Sequence, residues 1–238
     1  MTTECLDHIK IFADGAVLDD ILELRQCAVI RGFTTNPTLM RTAGVADYES
    51  FAIDFLEHVW DLPISFEVFS DDPLEMERQA MKIASWGENV YVKIPVTDTS
   101  GASTAGVQRR LSDAGVKINV TALMTVAQVE HVVQNLAPDV PASVSVFAGR
   151  IADTGRDPFP VMAEAVAILK DHPAVELIWA STRELFNVVQ AASVGCHIIT
   201  LTHDLLRKLH MLGWSLDAYS LDTVRMFHRD AREAGYSL

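Results

Sequence analysis

Eight short runs rich in β-branched and aromatic residues recur along the chain, each followed by a stretch with helical spacing. The runs are Ile9–Asp14, Gly32–Asn36, Ile64–Phe69, Val90–Val96, Lys117–Leu123, Ala142–Phe147, Glu176–Ala180 and Cys196–Leu201. Between them, Tyr48, Phe51, Ala52, Phe55, Leu56 and Val59 fall on one face of a helix. Asp72-Pro73-Leu74-Glu75 reads as an N-cap, a first-turn proline and a glutamate three places on, with Gly87 as a stop. Thr125 can cap a helix carrying Val129, Val132, Val133 and Leu136, and Asp157-Pro158 opens another. Ser181-Thr182-Arg183-Glu184 matches a capping box, with Gly195 as the stop. Strict alternation of this kind forces a parallel sheet, because parallel neighbours need a crossover between them. Eight such units in 238 residues predict an α/β fold, a closed (β/α)8 TIM barrel, whose usual size is ~250 residues. No linker, low-complexity tract or like-charge block interrupts the pattern, so residues 1–238 are expected to form one barrel domain. Residues 217–235 are amphipathic and lie past the eighth unit, an appended C-terminal helix that can pack on the barrel or on a neighbouring subunit.

Composition narrows the partners. Hydrophobic residues make up 49% of the chain and charged residues 21%, a globular balance. There are 19 Lys and Arg against 32 Asp and Glu, a net charge of -13. Such a surface repels nucleic acid and anionic membranes. A phosphorylated substrate then requires a local arginine or lysine cluster. Cys5, Cys27 and Cys196 are far apart and odd in number, which argues against a disulfide framework or thiolate metal site and for a reducing compartment. Residues 1–8 lack the basic and apolar regions of a signal peptide, and no apolar run approaches the ~20 residues of a membrane span, so the expected location is the cytoplasm. There is no GxGxxG after the first strand, no GxxxxGK[ST] and no HExxH.

Barrel enzymes carry their chemistry at the C-terminal ends of the strands. The polar residues there are Asp14, Thr34, Thr35, Asn36, Glu67, Lys93, Asn119, Thr121, Ser145, Arg150, Ser181 and Arg183. One such residue per unit places the set around a common axis. Lys93 is the most informative, since it interrupts the apolar strand Val90–Val96. If Val90 and Val92 face the helices, alternation turns Tyr91 and Lys93 into the barrel. Burial there disfavours the charged amine, and a neutral amine is the species that attacks a carbonyl to form a Schiff base. The alternative is a structural lysine paired with Glu67 or Asp14. Those two carboxylates can serve as general acid and base, although Asp14 also fits a turn before Gly15. Arg150, Arg183 and a helix beginning at Ser181 could hold a phosphate; equally, they could be surface arginines and a simple N-cap. Asn36, held extended by Pro37, could face a ligand hydroxyl or merely shape a turn.

Taken in order, several segments resemble the transaldolase family. Gly32-Phe33-Thr34-Thr35-Asn36-Pro37-Thr38-Leu39 resembles its GxTTNPSL signature, and Val92-Lys93-Ile94-Pro95 its Schiff-base strand. Asn119-Val120-Thr121 resembles its N-x-T strand. Ser145-Val146-Phe147-Ala148-Gly149-Arg150-Ile151-Ala152-Asp153 is similar to its S-P-F-V-G-R-I-x-D motif, with Val146 for Pro and Ala148 for Val. Ala180-Ser181-Thr182-Arg183 resembles A-S-x-R.

The resemblance implies that Lys93 forms an imine with C2 of a ketose phosphate such as sedoheptulose 7-phosphate or fructose 6-phosphate. Asp14 would take the C4 hydroxyl proton, and Glu67 and Thr121 would position a proton-shuttling water. Thr35, Asn36, Asn119, Ser145 and Phe147 would surround the sugar; Arg150, Ser181 and Arg183 would bind its phosphate. It implies no metal and no cofactor, and a homo-oligomer, either a dimer or a pentamer-based ring. Family members that instead release free dihydroxyacetone tend to carry Gln at the Glu67 position and Tyr at the Phe147 position, so the residues present favour transfer over lysis. A non-catalytic sugar-phosphate-binding barrel is the alternative of another class.

Overall fold

The computed structural model describes residues 4–238; residues 1–3, part of the start read above for a leader, lie outside the described residues. Eight parallel strands close into a barrel in sequence order, each paired with the next and the eighth with the first. They are β1 (Lys10–Asp14), β2 (Ile30–Thr34), β3 (Ile64–Glu67), β4 (Val90–Pro95), β5 (Ile118–Leu123), β6 (Ala142–Val146), β7 (Val175–Trp179) and β8 (Ile198–Thr202). Around them run α1 (Leu18–Arg25), α2 (Pro37–Thr42), α3 (Tyr48–His58), α4 (Pro73–Ala84), α5 (Ala105–Asp113), α6 (Val126–Val133), α7 (Ala148–Asp153), α8 (Phe159–Leu169), α9 (Phe186–Val194), α10 (His203–Leu206) and α11 (Leu216–Glu233). The (β/α)8 barrel with an added C-terminal helix is therefore the architecture.

Period-2 alternation divides the strand residues between two cores. Ile11, Ala13, Phe33, Phe66, Val92, Ile94, Ile118 and Val120 belong to the large apolar layer between sheet and helices. Inside the ring the apolar filling is small: Phe12, Ile178, Ala180 and Ile198. Gly32 is required there, since a Cβ on it would lie 2.5 Å from the Phe12 ring. The rest of the interior is polar, which frees its upper end for chemistry.

Local capping signals explain several helix starts. Asp72 accepts from the Glu75 N–H at 2.8 Å with Pro73 in the first turn, and Thr125 and Gln128 form a reciprocal capping box. Gly195 ends α9 at φ 80°, the left-handed conformation that suits glycine.

Several expected boundaries differ. β2 begins at Ile30 and stops at Thr34, because Asn36 has already turned away to cap α2. The helix after Thr125 ends at Val133, short of Leu136, and α4 ends at Ala84, ahead of Gly87. The capping box at Ser181 does not form. Residue 181 adopts φ 63° and α9 starts only at Phe186; the Asn187 side chain takes the Arg183 and Glu184 N–H groups at 3.0 and 3.2 Å.

α11 is a full 18-residue helix with no buried residue. Leu216, Val224 and Phe227 are 83%, 60% and 63% exposed, so most of its apolar stripe faces outward, with Tyr219 stacked on Trp214 just ahead of the helix. No helix among the described residues is long and apolar enough to cross a membrane.

Candidate active site

Lys93 lies where the strand pattern placed it. The residue is buried at 6% exposure and its Nζ reaches the top of the barrel interior, donating to the Thr35 carbonyl at 3.1 Å. Glu67 and Asn119 are its register partners on β3 and β5. The Glu67 carboxylate stands 3.5 Å from Nζ, too long for a tight ion pair. The amine therefore sits among polar groups rather than in the aliphatic pocket that its own strand suggests, yet it is not locked to any of them.

Two carboxylates share this space. Asp14 ends β1 and accepts from the Thr34 hydroxyl at 2.8 Å. Burial pushes its carboxyl above the usual carboxylate range, against the opposing pull of the Lys93 charge and the Thr34 hydrogen bond. Glu67 is likewise raised, first by burial; the nearby Lys93 charge lowers it and Asp14 raises it again. Two acids shifted upward beside one amine titrate as a coupled set, which is equipment for general acid–base work.

The Glu67 backbone is held by a residue with no such signal in the sequence. The Tyr48 hydroxyl, reaching in from α3, accepts from the Glu67 N–H at 2.7 Å and donates to its carbonyl at 3.2 Å. In the sequence Tyr48 is indistinguishable from the apolar stripe around it.

Beneath the amine runs a buried hydrogen-bonded row. The Ser145 hydroxyl donates to Asn119 Oδ1 at 2.8 Å, and Asn119 Nδ2 donates to the Ser65 hydroxyl at 3.0 Å. Asn119 is fully buried, so it supports the floor of the site and does not line its wall. Thr35 is also below the wall and contributes its carbonyl. The Thr35 and Thr121 hydroxyls are buried without a protein partner. Thr121 lines the cavity, with its hydroxyl buried and unpartnered just beneath the surface.

The cavity above has a volume of about 400 Å³. Its wall carries Asp14, Asn36, Glu67, Lys93, Thr121, Ser145, Phe147, Arg150, Ser181 and Arg183, ten of the twelve candidate residues. Asn36 shapes the turn: Oδ1 caps α2 by accepting from the Leu39 N–H at 3.0 Å, and the residue lines the cavity. Thr200 and Thr202 complete the wall from β8, a strand for which no polar residue was singled out.

Two arginines line the far side of the cavity. Arg150 stacks over the Phe147 ring, 5.7 Å from its centroid. Arg183 pairs with Asp153. The anion grip anticipated from a helix start at Ser181 is instead a turn, because α9 begins five residues later. Ser181 nonetheless faces the cavity, and the two guanidiniums make its mouth locally cationic in a chain of net charge -13. Among the described residues no group of three or more His, Cys, Asp or Glu is placed to hold a metal.

The transaldolase/fructose-6-phosphate aldolase family model matches residues 11–238. The chain belongs to this family. Its match spans every residue of the site. A probable transaldolase of Thermoanaerobacter sp. (strain X514) is 35% identical over 234 residues, covering 97% of this chain and 100% of that protein. One from Dehalococcoides mccartyi is 34% identical over 202 residues, covering 84% of this chain and 90% of its own. Among solved structures, a protein assigned to the dihydrodipicolinate synthase family, from Coccidioides immitis, superimposes with a TM-score of 0.62 over 97% of this chain and 80% of its own. At 12% identity that likeness speaks for the barrel alone. Family membership makes the chain transaldolase-like and an enzyme.

Proposed function

We propose that the protein transfers a dihydroxyacetone unit from a ketose phosphate to an aldose phosphate through an imine on Lys93, in the cytoplasm. The observation that carries this is the placement of a buried, unlocked amine between two carboxylates of raised pKa, under a cavity with a cationic mouth. Lys93 Nζ adds to the C2 carbonyl, and the carbonyl oxygen departs as water after protonation. Glu67 and the free Thr121 hydroxyl hold that water. Asp14 then removes the C4 hydroxyl proton, the C3–C4 bond breaks, and the aldose phosphate leaves. The electron pair of that bond passes into the protonated imine, which needs no metal or organic cofactor as a sink. The resulting enamine adds to the acceptor aldehyde as Asp14 returns its proton, and water then hydrolyses the new imine, releasing the product ketose phosphate and the free Lys93 amine. Arg150, Ser181 and Arg183 bind the phosphate, and Asn36 and Ser145 meet the sugar hydroxyls.

The test is to incubate the enzyme with donor ketose phosphate, reduce with borohydride and map the modified peptide by mass. A reduced three-carbon adduct on Lys93 is expected; an unmodified Lys93 with active enzyme would discard the imine.

Release of free dihydroxyacetone is the competing outcome, and Phe147 bears on it. The ring lines the cavity and carries no proton to give the bound carbanion. With donor and no acceptor, the wild type should stall after one transfer per site. Phe147→Tyr adds a hydroxyl at the cavity wall, and general acid catalysis of this kind is worth ~10²–10⁴-fold. The ratio of lysis to transfer should rise at least ~10-fold in that variant. An unchanged ratio, measured by the rate of dihydroxyacetone release against transfer to erythrose 4-phosphate, would remove Phe147 as the reason for the transferase reading.

A further inference from the structure

Asp153 ends the motif that starts at Ser145, and none of the roles above uses it. It is the last residue of α7, and its carboxylate accepts a short hydrogen bond from Arg183 Nη2, thirty residues further along the chain. The same crossing is fixed by backbone packing. Gly149, in the first turn of α7, lies so near the β7 loop that a Cβ on it would sit 1.6 Å from the Ser181 carbonyl oxygen and 3.1 Å from Arg183 Cγ. The Gly149 N–H approaches the Ala180 carbonyl at 3.4 Å. α7 is therefore seated on the segment that carries Arg183.

We propose that Asp153 is a positioning residue for an anion grip: it fixes the Arg183 guanidinium at the cavity mouth so that its remaining donors meet the phosphate of the substrate. Only the identity of the phosphate as part of a sugar substrate rests on the function proposed above. Arg183 is a long side chain, 48% exposed, whose many rotamers would otherwise have to be frozen when the ligand arrives. Its planar fork offers five N–H donors, and the Asp153 contact engages one of them on Nη2, leaving the other four for an anion. Arg150 receives the same service from the Phe147 ring, so α7 and its leading residue restrain both arginines. Exposed ion pairs contribute little to folding, and Asp153 is itself 54% exposed. Its loss should thus alter the grip and spare the barrel.

The experiment measures binding of inorganic phosphate to the full chain by calorimetry, in wild type, Asp153→Asn, Arg183→Ala and the double variant. Asp153→Asn should weaken phosphate binding about 5- to 10-fold, and the double variant should bind no more weakly than Arg183→Ala, since Asp153 acts only through that arginine. Asp153→Glu, which keeps the carboxylate, should recover part of the loss. In turnover, Asp153→Asn should raise KM for the phosphorylated ketose by a similar factor, with kcat and the KM for the unphosphorylated ketose unchanged. Phosphate binding as tight as or tighter than wild type in Asp153→Asn would overturn the proposal, and so would losses that add in the double variant. A failed Lys93 trapping alongside a coupled phosphate cycle would discard the reaction and keep the grip.

Discussion

Lys93→Met should fold into the same barrel and lose turnover by on the order of 10⁴-fold or more, because the covalent step has no substitute nucleophile. Methionine keeps most of the unbranched stem that packs against the strand wall and drops the nitrogen. What it also drops is the positive charge between Asp14 and Glu67, which lowers the pKa of both. Without it the two carboxyls rise further. An acid whose folded-state pKa lies above its unfolded value is favoured by folding in its protonated form, so stability falls as pH rises from the unfolded value through the folded one. The variant widens that window upward. Its melting temperature relative to wild type should therefore become more unfavourable as pH rises above the ordinary carboxylate range, while borohydride leaves no adduct at residue 93. Residual transfer within ~100-fold of wild type, measured on the donor and acceptor pair, would show that another group carries the covalent chemistry.

That pairing of charges marks the limit of what the chain's pattern conveyed. Period-2 alternation was enough to turn Lys93 inward and to put Ser65 and Glu67 on one face of β3, since a strand buried on both sides tolerates a polar residue only where it faces a polar interior. The strand ends followed less closely, since β2 stops at Thr34 and β3 at Glu67, each two residues before the end of its expected run. Distances across the ring did not follow, because the neighbours of Lys93 come from β2, β3 and β5, and only closure of the barrel brings the Thr35 carbonyl to its nitrogen. Tyr48 was hidden for a related reason: its ring packs against Phe66, Phe69 and Trp86 like any core aromatic, and only its hydroxyl, at the Glu67 backbone, has a second task.

Local capping signals behaved in the same way. Asp72 and Thr125 open helices because nothing competes for their first-turn N–H groups. The Ser181-Thr182-Arg183-Glu184 box fails because two tertiary contacts outweigh it: Gly149 presses on the Ser181 carbonyl, and the Thr182 hydroxyl donates to Thr200 at 2.6 Å. Ala122, at φ 65° beside the break in register between β5 and β6, is a second left-handed residue next to the cavity, and alanine gives no hint of that conformation.

The contact between Gly149 and Ser181 carries the second large effect. Helix propensity alone would make Gly149→Ala stabilising by ~1 kcal/mol, since residue 149 lies in α7. The added methyl, however, would start 1.6 Å from a backbone oxygen, well inside the 3.0 Å below which real Cβ contacts are not found. A backbone carbonyl cannot swing aside as a flexible side chain can. Either α7 or the β7 loop must retreat by more than an ångström, and interiors this dense respond to overpacking with ~1–3 kcal/mol of lost stability. The clash outweighs the propensity, so Gly149→Ala is expected to lower the melting temperature by about 2–12 °C, taking ~2–4 °C per kcal/mol for a chain of this size. Catalysis should suffer more than folding. The displaced segments carry Phe147, Arg150, Ser181 and Arg183, the phosphate side of the cavity, and misplacement by ~1 Å can cost 10²-fold in rate. Gly155→Ala is the control: its φ of 77° strains any side chain, but no atom stands within 4 Å of the added methyl and the residue does not line the cavity. It should share the thermal loss and keep kcat/KM. If Gly149→Ala melts no lower than wild type, or if both alanine variants lose activity equally, the close approach of α7 to Ser181 does not shape the site, because strain alone would then account for both.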